Sequence, residues 1–234
     1  MSSANTYERA RPVRQSPPRR KRRRKRRLNP RPFLLLLLLA LVIGGVLFAR
    51  RSLAPDGERV SVPDYVKQDF LTVNPYSRPG DELKSIRGVV IHYVGNPGTS
   101  AQANRNYFES LSAGTDETYA SSHFVVGLEG EVIQCVPLTE IAYASNSRNE
   151  DTVAIEVCHP DETGQFSPET YESVARLTAW LCETFHLDPE SDVIRHYDVT
   201  GKYCPKYYVE NEDAWAALKA DVSDQIAQDQ AAAS

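Results

Sequence analysis

The chain has 234 residues and a net charge of -4, room for one ordinary domain and its appendages but not for a string of domains. That total conceals a split: residues 1–51 hold 15 Lys/Arg against a single acidic residue, Glu8, and the remainder holds 12 against 30 Asp/Glu. A chain near +14 at one end and -18 over the rest excludes one uniform surrounding for both parts.

Residues 1–32 carry an unbroken basic run from Arg19 to Arg27. Self-repulsion and the lack of apolar residues keep such an arm unfolded. Alone it would suit nucleic acid, but the next segment decides against that. Phe33 to Ala49 contains no polar side chain. As a helix its 17 residues would span about 26 Å at ~1.5 Å each, the short end of what crosses a bilayer. A cleaved signal peptide has a shorter apolar stretch and a small-x-small site after it. Here Leu47 stands two before Ala49, and Pro55 follows Ala54. The expectation is an uncleaved signal anchor over 33–49, single-pass in the cell membrane. Positive charge resists translocation, so the basic arm stays cytoplasmic and the acidic remainder lies outside. The arm then meets anionic lipid head groups.

Arg50 to Pro63 reads as a polar linker with Pro55 and Gly57, a folded domain follows over 64–228, and 229–234 is a short tail. Gly88 to Tyr93 predicts a strand that ends at Gly95-Asn-Pro-Gly98. Thr99 or Ser100 caps a helix over Ala101 to Leu111. His123 to Val126 predicts a second strand, turned at Leu128 to Glu131 into Val132 to Val136. Thr152 to Cys158 is the plainest strand in the chain. Ser167-Pro168-Glu169 starts a helix running to Phe185, with Tyr171, Val174, Leu177 and Leu181 as its apolar stripe. Val193 to His196 is a short strand, and a last helix covers Glu212 to Gln228. Strands interleaved with helices predict an α/β domain around a single mixed sheet flanked by helices.

The chemistry gathers at three points. Period-two alternation puts Val90 and His92 on one strand face and Val89, Ile91 and Tyr93 on the other. His196 and Cys204, eight residues apart, flank a loop containing Gly201 that can fold both side chains to one place. With His92 they make a His, His, Cys set, and a catalytic zinc needs three protein ligands and one open position. Glu156 lies inside an apolar strand, costly for a carboxylate without a task or a partner. Its alternative role is a buried ion pair with Arg148 or Arg195. Lys202, two residues before Cys204, is a candidate partner for an oxyanion, or else an exposed loop lysine.

The pieces Val90-Ile91-His92-Tyr93, Ser121-Ser122-His123-Phe124, Asp151 to Val157 and His196-Tyr197-Asp198 through Lys202-Tyr203-Cys204-Pro205 occur in that order. Together they resemble the zinc-dependent N-acetylmuramoyl-L-alanine amidases, which share a fold with peptidoglycan recognition proteins. The resemblance runs from about Asp69 to Tyr208. It implies zinc ligands at His92, His196 and Cys204, catalytic roles for Glu156 (general base) and Lys202, and peptidoglycan as substrate. A peptidoglycan sensor that keeps the fold without turnover is the rival implication, and a zinc peptidase acting on other amides is another.

The chain departs from the family pattern twice. Some relatives have a catalytic Tyr just before the histidine of the second strand, where this chain has Ser122. The common Trp-His segment after the hairpin is here Ala142-Tyr143-Ala144. Ser122 and His123 are therefore expected near the cleft, as supporting groups or substrate contacts, with a structural role for His123 equally open. His159 is a rival ligand, and His186 is expected to cap the long helix. Cys135, Cys158 and Cys182 read as small buried hydrophobes, with one disulfide among them left open.

Overall fold

The computed structural model describes residues 41, 43, 56–115 and 117–233. The chain divides into two units, 1–49 and 50–234. Leu41 and Ile43 are the described residues of the first, both helical and exposed. The expected arm over 1–32 and most of the expected span over 33–49 lie outside the described residues. Among the described residues, no helix is long and apolar enough to cross a membrane.

The second unit is a six-stranded sheet. Its strands are β1 (Val66–Gln68), β2 (Val89–Tyr93), β3 (Phe124–Val126), β4 (Val132–Gln134), β5 (Val153–Val157) and β6 (Val193–Arg195). They lie in the order β1-β4-β3-β5-β2-β6. All neighbours are parallel except the β3–β4 hairpin. The sheet is thus mixed, and helices cover both faces.

One face holds Val89, Ile91, Phe124, Val126, Val153, Ile155 and Val157, all buried. It packs under α2 (Pro168–Phe185) and α6 (Glu212–Ala232). Ser167 caps α2 by accepting from the Thr170 N–H, and Pro168 supplies the first turn, as the sequence predicts. Val174, Leu177 and Leu181 of its stripe are fully buried, each contributing about 1.5–3 kcal/mol of transfer free energy. The other face packs Val125 and Ile133 under α1 (Ala101–Ser110), with Phe108 and Leu111. Ser100 caps α1 through the Ala103 N–H. His92 and Glu156 belong to this second face, where α1 leaves the central strands open to a short helix, α4 (His196–Thr200).

Several boundaries differ from expectation. The ordered unit begins before Asp64: a 3-10 turn at Asp56–Arg59 docks on the domain, with the Asp56 carboxylate accepting from the Ile86 N–H at 3.0 Å. Gly57 permits this docking, because a Cβ there would collide with the Leu138 carbonyl. At the other end α6 continues past Gln228 to Ala232. Strand β1 was not expected, being three residues with only Val66 buried. His186 ends α2 by its own left-handed backbone (φ 58°), its N–H bonded to the Cys182 carbonyl, rather than by a side-chain cap. Two further helical turns, α3 (Pro189–Asp192) and α5 (Lys206–Glu210), flank β6 and the Cys204 loop.

Candidate metal centre

Register explains why a strand histidine meets a strand carboxylate. β2 and β5 run parallel with His92 opposite Glu156, so both side chains leave the sheet on the same face. His92 Nδ1 and Glu156 Oε1 are 4.0 Å apart.

The third and fourth groups arrive by a tight return. β6 lies beside β2 and delivers His196 to the first position of α4. Gly201 ends that helix at φ 76°, in the left-handed region, with its N–H on the Tyr197 carbonyl. The Cys204 N–H then bonds the Lys202 carbonyl at 2.7 Å, and the Tyr197 N–H bonds the Cys204 carbonyl at 2.9 Å. These closures bring Cys204 back beside His196 despite eight residues of separation. Arg195 anchors the start: its N–H and guanidinium both bond Asp198, and the guanidinium also reaches the Tyr208 carbonyl and Glu212.

His92 Nδ1 is 3.1 Å from His196 Nδ1 and 3.8 Å from Cys204 Sγ. All three donor atoms lie within 4.8 Å of one another, and all three residues are buried. Tetrahedral zinc with nitrogen and sulfur ligands would hold two nitrogens about 3.3 Å apart and nitrogen from sulfur about 3.6 Å apart, from its usual bond lengths. The donor set therefore fits a single ion of that kind. Electrostatics agree. Burial, His196 and then Lys202 push protonation of His92 well below the usual imidazole range, and burial and then Lys202 lower His196. Both rings are held neutral, the form that binds metal. Burial pushes the Cys204 thiol up to about 12; only a cation at that point reverses the preference and favours thiolate.

Among the described residues, Glu156 has no arginine partner. Arg148 pairs with Asp151 and Arg195 with Asp198 and Glu212, which removes the ion-pair alternative. Oε2 of Glu156 is buried and without a hydrogen-bond partner, although the side chain as a whole keeps 18% of its surface open. Burial pushes this carboxyl up to about 8, against the pull of Lys202. A basic carboxylate with an unused oxygen, beside three convergent donors, is equipped to exchange a proton with whatever occupies the site. Lys202 is exposed on the loop, its charge felt by Glu156, His92, His196 and Cys204.

Ser122 and His123 prove to be structural. His123 is buried, with Nε2–H donating to the Glu140 carbonyl at 2.9 Å and Nδ1 accepting from the Ala154 N–H at 3.0 Å. The Ser122 hydroxyl faces the Ala154 carbonyl at 2.8 Å. Neither offers an atom to a substrate, because the β3 entry turns both inward to satisfy backbone groups. His159 is also committed, one ring nitrogen against the Val94 carbonyl and the other against that of Asp161, so it is no ligand. Cys135, Cys158 and Cys182 are free and buried, with thiols pushed up to about 12 by burial.

Sequence reasoning missed Ser145 and Asn149. Ser145 Oγ lies 3.1 Å from His92 Nε2, and Asn149 Oδ1 accepts from the Ala144 and Ser145 N–H groups at 3.1 and 2.6 Å. No local signal marks this serine, since its role depends on where a polar loop settles in space.

A family model described as N-acetylmuramoyl-L-alanine amidase matches residues 82–207. The amidase BlyA of Bacillus subtilis (strain 168) is 32% identical over 170 residues, covering 64% of this chain and 44% of that protein. A probable N-acetylmuramoyl-L-alanine amidase of Bacillus licheniformis is 34% identical over 166 residues, covering 66% and 46%. This chain thus spans about half the length of the curated relatives it matches. Among solved structures, the catalytic domain of XlyA superposes with a TM-score of 0.56 at 26% identity, covering 67% of this chain and 98% of that one.

Proposed function

Because the chain belongs to the N-acetylmuramoyl-L-alanine amidase family, we propose that it hydrolyses the amide between N-acetylmuramic acid and L-alanine in peptidoglycan, with a zinc ion held by His92, His196 and Cys204. The observation that carries this reading is the convergence of those three donors beside a carboxylate whose Oε2 has no partner. A module that only binds peptidoglycan needs neither the complete donor set nor the basic carboxylate.

When bound there, zinc supplies Lewis acidity, polarising an amide carbonyl and lowering the pKa of water to ~7. The chain's own groups do the rest. Glu156 takes a proton from the attacking water and delivers it to the leaving nitrogen, as an amide requires. Burial raises this carboxyl to about 8 without a metal, and a divalent cation held by the three donors would lower it and make the proton-accepting carboxylate available. Lys202 meets the negative charge that grows on the carbonyl oxygen. The polybasic arm and the apolar run over 33–49 hold the domain at the outer membrane face, against its wall substrate.

The test is wall digestion by the full chain in detergent, read as new L-alanine amino termini. A chelator should abolish release and added zinc restore it. Glu156→Gln should keep bound zinc and lose at least about 100-fold in kcat, the scale of general acid–base catalysis. Activity that survives metal removal, or a Glu156→Gln variant as fast as the parent, would contradict the reading.

A further inference from the structure

We propose that Ser145 is a positioning residue for the metal centre: its hydroxyl accepts the Nε2 proton of His92 and so reserves Nδ1 as a lone pair for the ion. The inference rests on the reading that His92 binds zinc. An imidazole ligand must present a bare nitrogen, and the hydrogen bond made by the other nitrogen decides which one is bare. In His92, Nδ1 is the atom facing His196 Nδ1 and Cys204 Sγ, and Nε2 is the atom 3.1 Å from Ser145 Oγ. With Ser145 accepting, the proton sits on the side away from the ion.

Several features mark Ser145 as built for this contact. It is 1% exposed, so water does not compete for either partner. Among the described residues no other hydrogen bond ties down its hydroxyl, whereas Ser122, also buried, has its hydroxyl on carbonyl groups. Its backbone is held by Asn149 Oδ1, which gathers two consecutive N–H groups and closes the loop around the 3-10 turn Asn146–Arg148. The device lies in the stretch where the chain departs from the common Trp-His pattern, directly after Ala142-Tyr143-Ala144.

The experiment compares zinc affinity of the full chain and Ser145→Ala by competition with a chromogenic chelator. It adds the nitrogen NMR of labelled histidine in the metal-free proteins. Ser145→Ala removes one oxygen and adds no bulk, and a thermal melt of each metal-free protein checks the fold. The expected result is zinc binding about 10- to 100-fold weaker, with the parent's single Nε2–H form of His92 replaced by a mixture of tautomers. Affinity within twofold of the parent would overturn the proposal, as would a loss of affinity with the His92 tautomer unchanged. Neither readout involves substrate, so failure of the amidase reading appears separately, as a zinc-loaded chain that releases no L-alanine termini. If the parent binds no zinc, both fail together.

Discussion

His92 and His123 show how residues of one type, both on buried strand ends, divide by what their second nitrogen meets. His92 has a hydroxyl behind it and open donors in front. His123 is closed on both sides by backbone, which fixes it as the neutral Nε2–H form, its pKa lowered from 6.5 to about 4 by burial. The folded value lies below the unfolded one, so the unfolded chain binds the extra proton. The associated stability is complete above pH 6.5 and is lost as pH falls toward 4. The shift corresponds to about 3 kcal/mol at most, at ~1.4 kcal/mol per unit. His123→Asn should therefore be less stable at pH 7 yet lose less between pH 7 and 4, by about one proton in the slope of urea-derived stability. Parallel profiles for parent and variant would remove His123 as the titrating group.

At the scale of elements, the decisive piece is the return from α4 to Cys204. Gly201 has nothing within 4 Å of where a Cβ would stand, so its requirement is purely conformational. Gly201→Ala should cost about 1–2 kcal/mol, the left-handed penalty, and weaken zinc binding as Cys204 drifts; Gly201→Asn should lose less. An alanine variant as stable as the parent would show that the loop reaches its geometry another way. Elements whose own residues specify them were legible in the sequence. Glu156 in β5 and His92 in β2 stood out because polar groups interrupted apolar runs, and the Ser167-Pro168 cap announced α2. β1 was invisible because Val66-Lys67-Gln68 gains its strand geometry only by pairing with β4. Ser145 was invisible for a like reason: its contact with His92 spans 53 residues of chain, and Asn149, bonded locally to the Ala144 and Ser145 N–H groups, gains its meaning only through that serine. For Ser122 and His123 the sequence left a site role and a structural role side by side, because a buried, satisfied polar group and a site residue look alike in one dimension.

For the whole molecule, the proposed anchor would make the proposed amidase a surface-bound enzyme. The nine basic residues from Arg19 to Arg27 should each contribute about 1 kcal/mol of attraction to an anionic surface. In detergent-free reconstitution, the full chain with these positions changed to Ser should still insert through 33–49. It should adopt mixed orientation, read by protease access to the domain in sealed vesicles. Uniform orientation in that variant would assign topology to something other than the arm.

The sharpest test of the account is X-ray absorption at the zinc edge on the zinc-loaded full chain, beside Cys204→Ser. One sulfur at about 2.3 Å and nitrogen ligands at about 2.0–2.1 Å, with the sulfur shell vanishing in Cys204→Ser, is the predicted result. A parent spectrum without sulfur, or one unchanged by the substitution, would contradict the account at its centre.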